Sequence, residues 1–125
     1  MEQTQENRTR VLVVDDQYLI AMDLVCMLEQ LGYSPVGPAA SVAEALATLA
    51  RDGADLALLD ETLAGESALP VAVRLQEQGI PFVVVSGHVR SISGNPLLQA
   101  ARRLEKPLTN KRLAETLMLL RDLRK

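Results

Sequence analysis

Aromatic side chains are nearly missing from these 125 residues, which hold two tyrosines, one phenylalanine and no tryptophan. A chain so poor in rings offers no platform for stacked bases, so nucleic acid is not an expected partner. Positive charge is not in excess either. Thirteen Lys and Arg face 16 Asp and Glu for a net charge of −3, a balance that fits neither a basic nucleic-acid footprint nor attachment to an anionic membrane. The single cysteine, Cys26, leaves no internal disulfide and suits a reducing compartment. The single histidine, His88, has no second His or Cys to complete a metal site and reads as a loop residue. No apolar run approaches the roughly 18 residues of a bilayer span, and Met1 to Arg10 is too polar for a signal peptide. The expectation is one soluble cytoplasmic domain with a core of Leu, Val and Ala, burying roughly two-thirds of its unfolded surface.

What is present is an alternation of strand and helix patterns. Residues 1–9 are polar and are expected to form a flexible tail. Arg10 to Val14 reads as a buried strand that stops at Asp15-Asp16. Gln17 to Leu31 places Ile20, Leu24, Met27, Leu28 and Leu31 at helical spacing, with Gly32 as its stop and Cys26 expected to pack inside. Tyr33 to Pro38 is a strand whose Pro35 and Pro38 suit a sheet edge. Ser41 and Glu44 form a capping box for a second helix.

Asp55 to Leu59 is an unalternating apolar run that reads as a strand covered on both faces, and it delivers Asp60 at its end. A third helix runs to Gln78 and stops at Gly79; Ile80 to Val85 is a fourth strand leading into Ser86-Gly87. Between Val89 and Ala101 the helical pattern is weakest. Arg102 to Glu105 is a short fifth strand followed by Lys106-Pro107, and Thr109 caps a last helix with Leu113, Leu117 and Leu120 inward. Strands alternating with helices over short loops give an α/β chain of flavodoxin-like (βα)5 type, a doubly wound parallel five-stranded sheet of order 2-1-3-4-5 over residues 10–125.

In such a sheet Asp15, Asp16, Asp60, Ser86 and Lys106 converge at one edge. Carboxylates about 4 to 5 Å apart repel by roughly 4 kcal/mol per pair at an effective dielectric near 20, so a cation is called for. Oxygen-only ligation suits Mg²⁺, and an aspartate linked to a metal beside a lysine and a hydroxyl is equipment for phosphoryl transfer to a carboxylate.

Four segments carry a resemblance. Val11-Leu12-Val13-Val14-Asp15-Asp16, Leu58-Leu59-Asp60, Val85-Ser86-Gly87 and Glu105-Lys106-Pro107 resemble the signature segments of the receiver domains of two-component response regulators. The resemblance implies that Asp60 is the phosphoacceptor, that Asp15 and Asp16 hold Mg²⁺ with it, and that Thr62 lends its backbone carbonyl to the metal. Ser86 then bonds the phosphoryl group and Lys106 pairs with it. Receivers usually carry Tyr or Phe three residues before the lysine, where this chain has Arg103. Gly65-Glu66-Ser67 and Pro81 to His88 look like a subgroup of stand-alone receivers.

The implied function is that of a single-domain response regulator in a phosphorelay, phosphorylated by a sensor histidine kinase or a phosphotransfer protein. Since the sequence stops after its last helix, output is expected through contact with an unidentified downstream protein, or, as an alternative, the domain is a sink for phosphoryl groups. Catalysis is expected only for its own phosphorylation and autodephosphorylation. Residues 89–101 with a charged edge at Arg102 and Arg103 are the expected output surface. A haloacid-dehalogenase-like phosphatase would place its nucleophile in an Asp-x-Asp after the first strand, and a flavodoxin-like cofactor protein would need a first loop rich in Ser, Thr and Gly. Asp15-Asp16-Gln17 fits neither.

Overall fold

The computed structural model describes residues 8–63, 65–86, 102–105 and 108–124. Five strands, Arg10–Val14 (β1), Ser34–Ala39 (β2), Leu56–Asp60 (β3), Phe82–Ser86 (β4) and Arg102–Glu105 (β5), form one parallel sheet of order β2-β1-β3-β4-β5. That is the order expected from the sequence. Residues 1–7 of the expected tail, His88 and the weakly patterned stretch 89–101 lie outside the described residues.

Both faces of the sheet are covered, which explains strands without alternation. On one face Leu12, Leu59 and Val84 pack with Ala45 and Leu49 of α2 (Val42–Asp52) and with Val71, Ala72 and Leu75 of α3 (Leu69–Glu77). On the other, Val11, Val13, Leu58, Val83 and Val85 meet Ala21, Leu24 and Leu28 of α1 (Tyr18–Gln30) and Leu113, Leu117 and Leu120 of α4 (Asn110–Arg124). Burial of a Leu or Val side chain stabilises by about 1.5–3 kcal/mol, so these two layers dominate the fold.

The helix ends follow local chemistry. The Glu44 N–H donates to Ser41 Oγ at 3.1 Å, and the Glu44 carboxylate returns to the Ala40 N–H at 2.7 Å. Thr109 Oγ1 accepts from the Arg112 N–H at 3.1 Å. The strand starts are tied as well, because the Arg10 N–H donates to Asp55 Oδ2 at 2.9 Å while the Asp55 N–H donates to the Arg10 carbonyl at 2.8 Å.

One packing expectation is corrected: Cys26 is exposed. It lies two residues, about 200° of helix, from the buried Leu24, and so points away from the sheet. After β3 the chain forms a small antiparallel ribbon, Thr62–Leu63 against Glu66–Ser67, which carries Leu63 into the core with no exposed surface. Among the described residues no helix is long and apolar enough to cross a membrane.

Candidate functional site

Parallel register builds the site. Val14 is level with Leu59, so Asp15 and Asp60, each one residue further along, arrive side by side at the C-terminal edge. One carboxylate oxygen from each of Asp15, Asp16 and Asp60 lies within 4.8 Å of the others. Asp15 is buried, Asp60 half-buried and Asp16 exposed.

Asp15 is held from two directions. Its N–H donates to the Ala39 carbonyl at 3.0 Å, tying the end of β1 to the end of β2, and its Oδ1 accepts from the Gln17 N–H at 2.9 Å. Gly37 makes the first of these contacts accessible. It has φ of +94°, and a Cβ there would sit 3.0 Å from Ala39 N and 3.2 Å from the Val13 carbonyl oxygen, so only a residue without a side chain lets β2 close up here unstrained.

The donor set is carboxylate oxygen alone. It fits a hard, oxygen-seeking cation that keeps some of its water, which the exposed Asp16 side leaves room for. Gathering these charges at one edge is costly without a counter-charge: at the observed separation each pair repels by roughly 3–4 kcal/mol in an effective dielectric near 20.

A model of the response regulator receiver domain matches residues 11–118. The chain belongs to this family. The receiver is similar to SdrG from Sphingomonas melonis Fr1, with 38% identity and a TM-score of 0.80 over 94% of this chain and 98% of that one. Its fold is also that of a CheY-like receiver domain protein from Methanospirillum hungatei JF-1, at 24% identity and a TM-score of 0.82, covering 94% and 97% of the two chains. The alginate biosynthesis transcriptional regulatory protein AlgB of Pseudomonas putida is 38% identical over 90 residues, 70% of this chain and 20% of AlgB. The receiver therefore spans about a fifth of the length of the curated relatives it matches. Receiver domains are signalling modules of two-component systems, which bind Mg²⁺ through an acidic cluster and interact with histidine kinases or phosphotransfer proteins.

Of the residues singled out in the sequence, Asp15, Asp16 and Asp60 are brought together. The backbone of Ser86 ends β4 at the same edge, level with Glu105, and that of Thr62 lies two residues past Asp60 in the short ribbon. Lys106 lies outside the described residues.

Two charged residues that the sequence reading did not join meet next to the acid cluster. Arg103 Nη1 and Nη2 donate to Oε1 and Oε2 of Glu61 at 3.1 and 3.3 Å, with side-chain exposures of 23% and 5%. Arg103 is thus not part of an exposed charged edge: its register partner Val84, and Leu59 beyond it, face the α2 and α3 layer, which draws Arg103 to that side. The available signal was Glu61 itself, a second ionisable residue just past the buried run Leu56 to Leu59, where a charge needs a partner.

Proposed function

We propose that this receiver accepts a phosphoryl group on Asp60 from the phosphohistidine of a sensor histidine kinase or a phosphotransfer protein, and passes the signal on by contact with another protein. The observation that supports this most is the gathering of Asp15, Asp16 and Asp60 within 4.8 Å at the end of β1 and β3.

In this reading the domain runs from Arg10 to Lys125 and works in the cytoplasm. Asp15, Asp16 and Asp60, with the Thr62 backbone carbonyl, are the residues that hold Mg²⁺. The bound ion offsets the charge that builds up between an attacking carboxylate and the phosphoryl oxygens. An Asp60 oxygen attacks the phosphorus, the P–N bond breaks and its electron pair returns to the imidazole. The buried Asp15, pinned by Gln17 and Ala39, keeps the acid cluster in register with Asp60. The Ser86 hydroxyl donates to the new phosphoryl group and Lys106 pairs with it.

Mass spectrometry of the intact protein after incubation with a small phosphodonor tests this. One phosphoryl group is expected in the presence of Mg²⁺ and none with the metal chelated. Stable labelling of Asp60→Asn under the same conditions overturns the assignment.

A further inference from the structure

The Glu61–Arg103 pair raises a question that packing alone does not answer. Glu61 is 4% exposed, among the few polar side chains buried in the described residues. Two apolar residues of similar size usually serve stability at least as well as a buried ion pair, because both charges must be stripped of water. The pair also has an unusual span. Its partners are 42 residues apart in sequence and lie on β5 and at the exit of β3, with β4 between those two strands. Glu61 is anchored at its backbone, where its carbonyl accepts from the Ala68 N–H at 3.0 Å. Arg103 carries the longer and more exposed side chain, so it is the partner better able to turn.

We propose that this pair is the coupling element through which the state of Asp60 reaches β5: a phosphoryl group on Asp60 draws the Arg103 guanidinium away from Glu61, and β5 shifts with it. The inference rests on Asp60 being the phosphoacceptor. A carboxylate carries one negative charge, whereas a phosphoryl group carries about 1.5 to 2 and three strong acceptor oxygens. Placed one residue from Glu61, that charge acts on the two partners in opposite senses, repelling the carboxylate and attracting the guanidinium. This gives the modified state a differential interaction, which a conformational shift requires. Arginine is suited to the task, since the planar fork that grips a carboxylate at two points grips phosphoryl oxygens in the same way. The Arg103 side chain thereby acts through its charge and its place on β5, as a positioning residue.

The test uses beryllofluoride with Mg²⁺ as the phosphoryl mimic and nitrogen–proton NMR as the readout. In the wild type, adduct formation is expected to shift the Arg103 Nε–H signal and the amides of Arg102 to Glu105. In the Glu61→Leu/Arg103→Met variant, which replaces the pair with apolar residues, the adduct is expected to form while the β5 amide shifts are lost. A wild-type adduct that leaves the Arg103 Nε–H signal unmoved overturns the coupling whether or not the variant folds. A double variant whose β5 amides shift as in the wild type also overturns it and leaves the phosphoacceptor reading intact. A double variant that takes no adduct, when the wild type does, assigns the pair to acceptor geometry and overturns transmission. Failure of the wild type to form any adduct sinks the phosphoacceptor reading itself, and the inference with it.

Discussion

Val14 and Leu59 are level partners in adjacent parallel strands. Because both strands continue in step, the next residues, Asp15 and Asp60, reach the sheet edge together and meet Asp16 there. The acid cluster is therefore a product of register, and a one-residue slip of either strand would separate it and turn its buried leucines and valines to the opposite layer.

Asp15→Asn tests the electrostatic part of that arrangement. The substitution keeps an oxygen for the Gln17 N–H and removes one of three crowded charges. Without divalent metal it is expected to raise stability by about 1–2 kcal/mol. The metal-dependent rise in Tm, which follows from binding to the folded state alone, should shrink or vanish. Thermal unfolding with and without Mg²⁺ reads both; a variant that keeps the full metal-dependent rise contradicts Asp15 as a ligand.

Gly37→Ala tests the mechanical part. A methyl at this position meets Ala39 N at 3.0 Å and the Val13 carbonyl at 3.2 Å on a backbone with φ of +94°, at a cost of roughly 1–3 kcal/mol. Relief of the clash pushes Ala39 away from the Asp15 N–H. Calorimetric titration should then show Mg²⁺ affinity falling along with stability, although residue 37 is no ligand. Unchanged metal affinity would mean that the Ala39 bond does not position Asp15.

The Glu61–Arg103 pair predicts an unequal pair of stability effects. Arg103→Ala strands a carboxylate that is 5% exposed, and is expected to cost roughly 3 kcal/mol. Replacing both partners with Leu and Met should restore most of it. Urea unfolding of the single and double variants measures the difference, and equal losses in the two would show that the charges contribute no more than ordinary packing.

Lys106→Ala is expected to act on the response rather than on the fold. A lysine whose role is to pair with a phosphoryl group supplies charge more than packing, so stability should stay within about 1 kcal/mol of the wild type. The phosphorylation-dependent change in hydrogen exchange should be lost. Its survival in the variant would remove Lys106 from the switch.

Much of this was legible in the sequence because the physics concerned is local. β1 and β3 announce themselves as apolar runs without alternation, and Ser41 with Glu44 marks a helix start by chemistry alone. Strand ends were harder. The run Asp55 to Leu59 suggested a strand ending at Leu59, but pairing of Asp60 with Val85 carries it one residue further. The ribbon at Thr62–Leu63 and Glu66–Ser67 has two-residue strands, too short to express a period. Cys26 was misplaced by residue type where helical phase, counted from Leu24 and Leu28, gives the exposed side. Arg103 resembled an edge charge because nothing local names Glu61 as its partner; that pairing exists only once β3, β4 and β5 lie side by side.

The outermost strand β2 has a consequence for how this protein behaves at high concentration. Pro35 and Pro38 lack the N–H that an incoming strand would bond, and Gly37 turns the backbone between them through a positive φ. At the opposite border β5 is only four residues long and carries the exposed Glu105. The outer strands of a sheet are templates for strand addition by another chain, and here one is short of donors while the other is brief and carries an exposed charge. Crowded solutions should therefore favour separate, soluble molecules over sheets that grow from molecule to molecule.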